Sequence, residues 1–278
     1  MSTNLIDRYA VMGNPIAHSK SPLIHTEFAR QTAQSLLYTA ELVSLGELPQ
    51  AVAEFQSRNG KGLNITVPFK QDAFALAHEL SPRAQRAGAV NTLVLRGVNN
   101  YYGDTTDGIG LLNDLTNNHR LTLKQKNILL LGAGGAVRGV IEPLLQQSPK
   151  RLVIANRTAD KAVQLAADFS DLGTTRGCGF TELQGDRFDF VINGTSASLN
   201  GELPPLPNKL LTTDAVVYDM MYGTNATPFM QWGAEHGAAL CLDGLGMLVE
   251  QAAESFYIWR GVRPQTGSVI ELIRRSLK

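Results

Sequence analysis

Residues 127–140 read Asn-Ile-Leu-Leu-Leu-Gly-Ala-Gly-Gly-Ala-Val-Arg-Gly-Val, an apolar run that ends in clustered glycines and passes directly into a helical pattern. Few architectures admit such a stretch. The run Asn127 to Leu131 has the length and apolar continuity of a strand buried on both faces. Gly132, Gly134 and Gly135 permit a tight turn and a close backbone approach to a pyrophosphate. The following helix, Gly135 to Gln146, would offer free N–H groups and a partial positive charge to phosphate oxygens. A glycine pattern alone is common in ordinary turns. Here strand, loop, helix and a second strand (Arg151 to Ala155) occur in order, and together they predict a dinucleotide-binding loop of the Rossmann type.

The rest of the chain keeps the same alternation. Strand candidates lie at Tyr9 to Met12, Gly62 to Val67, Val90 to Leu95, Phe188 to Asn193, Ala215 to Asp219 and Ala238 to Leu242. Helical patterns lie at Pro22 to Gln31, Lys70 to Glu79, Ile109 to Leu115 and Ala159 to Phe169. That order predicts an α/β protein with mainly parallel sheets. At 278 residues the chain is long enough for two domains with separate cores. The nucleotide-binding unit begins beyond Leu121 to Gln125, and the last helical run, Leu245 to Trp259, follows its strands and returns to the first domain. We therefore expect an α/β substrate domain of residues 1–107 plus 245–278, and a Rossmann-type domain of residues 108–244.

Lys plus Arg and Asp plus Glu both number 25, so no net charge draws the chain to nucleic acid or to a membrane surface. No apolar run reaches membrane-spanning length, and Met1 to Tyr9 lacks the basic and apolar regions of a signal peptide. Cys178 and Cys241 stand in no metal-like spacing and read as free thiols. A cytoplasmic enzyme that needs no metal is the expectation.

The second strand of the nucleotide unit selects the cofactor. It ends in Asn156-Arg157-Thr158, where NAD-preferring sites place an acidic residue for the ribose 2′-hydroxyl. A carboxylate there would repel a 2′-phosphate, whereas Arg157 can pair with it through a planar fork. Lys161, four residues on, would share the face and add a second cation. Thr158 also suits a helix N-cap, and Lys161 a solvated surface charge. Arg157 has no such alternative, and it points to NADP.

Polar residues of a different kind gather in the N-terminal half. Gly13-Asn14-Pro15-Ile16-Ala17-His18-Ser19-Lys20-Ser21-Pro22 places two hydroxyls before a helix. Ser21 suits the cap and Pro22 the first helical position, but the hydroxyls and the helix N-terminus can also hold a carboxylate. In Leu63-Asn64-Ile65-Thr66-Val67 the polar residues share one face. Lys70 follows near that strand's carboxyl end, where α/β sites are found. Spacing alone leaves Lys70 a surface charge and Asp107, in Gly103-Asp104-Thr105-Thr106-Asp107-Gly108, a helix cap.

The motifs in series say more than each alone. Gly-Asn-Pro-Ile-Ala-His-Ser-Lys-Ser-Pro, Asn-Ile-Thr-Val-Pro-Phe-Lys, Gly-Ala-Val-Asn-Thr, Gly-Asp-Thr-Thr-Asp-Gly, Gly-Ala-Gly-Gly-Ala, Asn-Arg-Thr and Asp-Gly-Leu-Gly-Met-Leu-Val-Glu-Gln-Ala occur in order over nearly the whole chain. The series closely resembles the shikimate dehydrogenase family. The resemblance implies that Ser19, Ser21 and Thr66 hold the substrate carboxylate, with Tyr222 nearby. It implies that Lys70, Asn91 and Asp107 surround the ring hydroxyl that is oxidised and its neighbour, and that Gln251 makes a further ring-hydroxyl contact. Gly132, Ala133, Gly134, Gly135, Ala136, Asn156, Arg157, Thr158, Lys161, Met220 and Gly244 match cofactor contacts. Two departures stand out. Lys161 replaces an arginine, keeping charge without bidentate geometry, and Asn193-Gly194-Thr195-Ser196 has glycine where alanine is usual, a change we expect to matter little.

The activity so implied is reversible reduction of 3-dehydroshikimate to shikimate by NADPH, in the chorismate route to aromatic amino acids. Lys70 would give the proton and stabilise the alkoxide, and Asp107 would hold Lys70 in place. His18 is given a structural or supporting role. A homodimer is the family-level expectation, with monomers among its members. The nearest alternative is a dual quinate/shikimate dehydrogenase that prefers NAD; such relatives tend to carry an acidic residue near the second-strand end, which Asn156 to Thr158 lack. A silent ligand sensor on the same two domains is disfavoured by the retention of Lys70 and Asp107. A methylenetetrahydrofolate-type dehydrogenase shares the architecture but not the double-serine motif.

Overall fold

A computed structural model describes residues 6–195, 197 and 201–277. The chain divides into two compact units, one of residues 6–110 and Val249–Ser276, the other of Leu111–Leu248 and Leu277.

In chain order the first unit contains β1 (Asp7–Gly13), α1 (Ser21–Gln31), β2 (Leu36–Leu42), α2 (Leu48–Ser57), β3 (Gly60–Ile65), α3 (Lys70–Leu76), β4 (Glu79–Leu80), α4 (Pro82–Ala87), β5 (Thr92–Leu95) and β6 (Tyr101–Asp104). The helix α5 (Asp107–Asn113) follows and widens into a π turn at Asp114–Asn118. The strands form one sheet in the order β2-β1-β3-β5-β6-β4. Only β5 runs against the others, antiparallel to both β3 and β6. The reversal matters for function: the ends of β3 and β6 and the start of β5 all fall at one edge of the sheet.

Period-two alternation divides β1 between two cores. Ala10 and Met12 pack with Val52 and Phe55 of α2, while Tyr9 and Val11 pack with Tyr38 of β2 and with Trp259. Trp259 belongs to α9, described below. Its indole Nε1–H donates to the Leu93 carbonyl at 3.0 Å and lies where a Cβ at Gly62 would have to go. A polar clasp also holds α9 to this unit. Arg83 grips Asp104 through Nε (2.7 Å) and Nη2 (2.9 Å), and reaches Glu254 at 3.2 Å, which Arg263 also meets at 2.6 Å.

The second unit continues with β7 (Asn127–Leu131), α6 (Gly135–Gln146), β8 (Arg151–Ala155), α7 (Ala159–Asp168), β9 (Thr175–Cys178), a 3-10 turn at Phe180–Leu183, β10 (Phe188–Asn193), β11 (Leu211–Asp219), α8 (Pro228–Glu235) and β12 (Leu240–Asp243). The long α9 (Leu245–Arg260) starts here and carries the chain into the first unit, which α10 (Gly267–Ser276) completes. The sheet is wholly parallel, in the order β12-β11-β10-β7-β8-β9. Counted within the unit, that is the doubly wound order of dinucleotide-binding folds, with its switch point between β7 and β10. The unbroken apolar run of β7 has its cause here: Ile128 and Leu130 pack toward α6 and α7, and Leu129 and Leu131 toward Phe229 and Trp232 of α8.

Several elements depart from the sequence expectation. β2, β6 and β9 and the helices α2, α4, α8 and α10 are not among the individually expected elements. The helix expected to reach Glu79 ends at Leu76, because Glu79 and Leu80 leave it to pair with Tyr102 and Gly103.

Candidate active site

The reversed β5 explains how distant residues meet. Asn64 of β3 pairs with Thr92 of β5, which pairs with Asp104 of β6. Just beyond these positions the chain turns three times, and Lys70 opens α3, Asn91 precedes β5, and Asp107 opens α5. Lys70 Nζ donates to Asp107 Oδ2 at 2.5 Å, with only 14% and 6% of the two side chains exposed. Asn91 Nδ2 donates to the other oxygen, Oδ1, at 2.9 Å. Asp107 is thus engaged on both oxygens and does more than occupy a helix start.

Gln251 joins this group from α9, its Oε1 lying 3.2 Å from Asn91 Nδ2 and 3.3 Å from Thr106 Oγ1. Behind them stands a layer of buried hydroxyls. Ser255 Oγ lies 2.7 Å from Thr92 Oγ1 and accepts from Asn64 Nδ2 at 3.0 Å, while the Tyr38 hydroxyl donates to Asn64 Oδ1 at 2.7 Å. Thr106 lies in a segment that the sequence already marks as polar before a helix, whereas sequence reasoning singles out neither Ser255 nor Tyr38 as a contributor. Ser255 had a usable signal, since it lies one helical turn after Gln251; Tyr38, on an unrecognised edge strand, had none.

The double-serine segment differs from expectation in one detail. Lys20, not Ser21, occupies the cap position of α1, and Ser21 is the first helical residue. The reason is local: the Ser21 N–H turns back to Ser19 Oγ at 3.3 Å, which gives Ser19 a structural contact as well. No side chain caps α1, and no acidic residue occupies its first turn. Ser21 is buried beside Tyr38, whose phenol burial pushes well above its usual range, with the Ser21 hydroxyl opposing. Thr66 follows β3, its N–H bound to the Met12 carbonyl at 2.9 Å. His18 is exposed. Among the described residues no group of histidine, cysteine, aspartate and glutamate could hold a metal ion.

In the second unit β7 runs into Gly132, whose φ of +106° suits glycine and whose Cα faces the Gly194 backbone. Gly134 holds the cap position of α6 with no side-chain cap, and a Cβ built there meets nothing within 4 Å. The first turn of α6, with Ala133, Gly135 and Ala136 around it, thus has no side-chain cap and no atom crowding Gly134, which suits a pyrophosphate. At the end of β8, Asn156 Nδ2 donates to the Thr158 carbonyl at 3.0 Å; Thr158 stands at the α7 cap without a side-chain cap bond. Arg157 and Lys161 are exposed, and no carboxylate pairs with either among the described residues. These residues fit a dinucleotide bearing a 2′-phosphate.

Met220 and Gly244 follow the ends of β11 and β12; a Cβ at Gly244 would fall on the Met220 backbone. Tyr222 also belongs to this unit, and burial, then the Asp243 charge, raises its phenol above the ordinary range. A Cβ at Gly194 would meet the Val137 side chain and sit 3.1 Å from Met220 Sδ, so the packing around this position is fitted to glycine. Ser196, in the same motif, lies outside the described residues.

The doubly wound sheet and its glycine loop define a two-unit protein with a dinucleotide-binding fold of the Rossmann type. Three family models match in succession: the shikimate dehydrogenase substrate binding domain over residues 11–93, shikimate / quinate 5-dehydrogenase over 114–200, and the shikimate 5'-dehydrogenase C-terminal domain over 244–274. The chain belongs to the shikimate dehydrogenase family. It is 56% identical to a shikimate dehydrogenase (NADP(+)) of Nitrosococcus oceani, over 98% of this chain and 96% of that one. A protein of the same name from Chromohalobacter salexigens is 57% identical, covering 98% and 99%. Among solved structures, shikimate 5-dehydrogenase from Thermus thermophilus in complex with NADP(H) and shikimate superposes with a TM-score of 0.86 at 31% identity, covering 98% of this chain and 100% of that one.

Proposed function

We propose that the chain catalyses the NADP-dependent, reversible reduction of 3-dehydroshikimate to shikimate, a step of chorismate and aromatic amino acid biosynthesis, with the first unit holding the substrate and the second the cofactor. The observation that carries the reading is the Lys70–Asp107–Asn91 constellation, in which two residues from different turns come within hydrogen-bond distance of the carboxylate of a third.

The hydroxyls of Ser19, Ser21 and Thr66, with the uncapped N-terminus of α1, take the substrate carboxylate. Tyr222 is assigned to the same group; its raised phenol remains a donor at neutral pH. Gln251 and Asn91 orient the ring hydroxyls. Lys70 meets the carbonyl oxygen, neutralises the negative charge that grows there and donates the proton that completes the alcohol. Asp107 fixes the ammonium of Lys70, and Asn91 fixes Asp107. In the reverse direction Lys70 accepts the same proton. Gly132 to Ala136 would hold the pyrophosphate, Asn156, Arg157, Thr158 and Lys161 the adenosine end with its 2′-phosphate, and Met220 and Gly244 the nicotinamide end. Bound there, NADPH supplies the hydride.

Residence in the cytoplasm and assembly as a homodimer belong to the same proposal and rest on the family resemblance. Among the described residues no helix is long and apolar enough to cross a membrane. The reading is tested by adding 3-dehydroshikimate to the protein with NADPH. Stoichiometric loss of NADPH and appearance of shikimate are expected; no loss rejects it.

A further inference from the structure

The hydrogen bonds around Asn91 have a direction that chemistry alone assigns. The Thr106 backbone N–H can only donate, and the Asp107 carboxylate can only accept. Asn91 lies 2.9 Å from each, so its Oδ1 faces Thr106 and its Nδ2 faces Asp107. The amide cannot turn over without setting oxygen against carboxylate. The remaining Nδ2 hydrogen faces Thr106 Oγ1 at 2.9 Å and Gln251 at 3.2 Å. Because Nδ2 donates, the Gln251 atom beside it is the oxygen.

Thr106 occupies the centre of this arrangement. Its hydroxyl accepts from Asn91 Nδ2 and has three acceptors within reach of its own proton, Asn91 Oδ1 (3.2 Å), Gln251 Oε1 (3.3 Å) and Ser255 Oγ (3.2 Å). Thr106, Thr92 and Ser255 are each 0% exposed, so water does not replace a lost partner. We infer that Thr106 is a positioning residue: its backbone N–H fixes the Asn91 amide as a donor to Asp107, and its hydroxyl, between Asn91 Nδ2 and Gln251 Oε1, holds the Gln251 amide with its oxygen inward, so that Gln251 meets a ring hydroxyl with its nitrogen. The inference rests on the roles proposed above for Asp107 and Gln251. Thr106 touches no reacting atom; it acts through Asn91 and Gln251.

Steady-state kinetics with shikimate and NADP+ tests it. Thr106→Val keeps the volume and removes the hydroxyl. We expect kcat/KM for shikimate to fall about tenfold or more, with KM for NADP+ changed by less than about twofold. Thr106→Ser restores the hydroxyl and should return kcat/KM to within about threefold of the starting enzyme. Should valine prevent folding, seen as loss of the far-ultraviolet circular dichroism, Thr106→Cys applies the same criterion, because a thiol is a weak hydrogen-bonding group. A hydroxyl-free variant within about twofold of the unsubstituted enzyme overturns the inference, as does a serine variant as slow as the valine one. An unsubstituted enzyme inactive on shikimate removes the proposed function and this inference with it. An active enzyme with an unaffected Thr106→Val variant removes the inference alone.

Discussion

Lys70 and Asp107 form a largely buried pair, and burying two charges carries a desolvation cost that the pair recovers only when its remaining atoms are also hydrogen-bonded. Asn91 meets that condition on the second carboxylate oxygen, and Thr106 meets it on Asn91. Removing the ammonium should therefore affect the chemistry more than the binding: Lys70→Ala is expected to lower kcat by about 10²- to 10⁴-fold, with a much smaller change in the KM for shikimate. Turnover within a few-fold of the unsubstituted enzyme would take the proton away from Lys70. His25 makes a second residue-scale prediction. Its ring stacks on Tyr38 at 4.2 Å, is fully buried, and is held from its ordinary 6.5 down to about 3 by burial, with Asn64 opposing. Between those values the unfolded chain binds a proton that the folded chain refuses, so stability falls as pH drops below 6.5. At pH 5 this loss is about 2 kcal/mol. Denaturant unfolding at pH 7 and pH 5 should show His25→Phe losing less than the unsubstituted chain by that amount; equal losses would rule out His25 as the titrating group.

At the scale of elements, the strands buried on both faces were legible because apolar continuity has one cheap explanation. β7, β8 and β10 occupy the residues expected of them, and the loop after β7 meets α6 where the glycines place it. β2 and β6 were not legible, since Thr39, Glu41, Tyr102 and Asp104 face hydroxyls, ions or solvent and interrupt the apolar period. The candidate site was legible only in part for the same reason: Lys70 and Asp107 are 37 residues apart, and nothing local says that β5 reverses and closes the gap. Gly134 separates loop geometry from stability. Its backbone (φ −83°, ψ 179°) suits any residue, and a Cβ there touches nothing. Gly134→Val should change unfolding free energy by less than about 0.5 kcal/mol and raise the KM for NADP+ at least about tenfold. An unchanged KM would move the pyrophosphate elsewhere. Arg157, at the end of β8, carries the choice between cofactors: Arg157→Asp should cut kcat/KM with NADP+ far more than with NAD+. A ratio that stays constant would free Arg157 of that role.

For the whole molecule, each unit repeats one design in which charged or polar groups sit at strand ends beyond a sheet whose apolar faces are closed by helices. α9 serves both units in turn, leaving the Rossmann sheet at Leu245 and bringing Gln251 and Ser255 to the polar layer beneath Asp107. That continuity is why the sequence reading could assign the C-terminal helices to the first domain only by their order after the last strand, while the hydrogen bonds to Ser255 and the Arg83–Glu254 clasp supply the physical cause. Family membership leaves one functional contrast to measure, because one of the matching models covers shikimate and quinate alike. The most direct measurement is the initial rate of reduced-cofactor formation with shikimate and with quinate, each with NADP+ and with NAD+. The highest kcat/KM is expected for shikimate with NADP+; equal or greater efficiency with quinate and NAD+ would contradict the account.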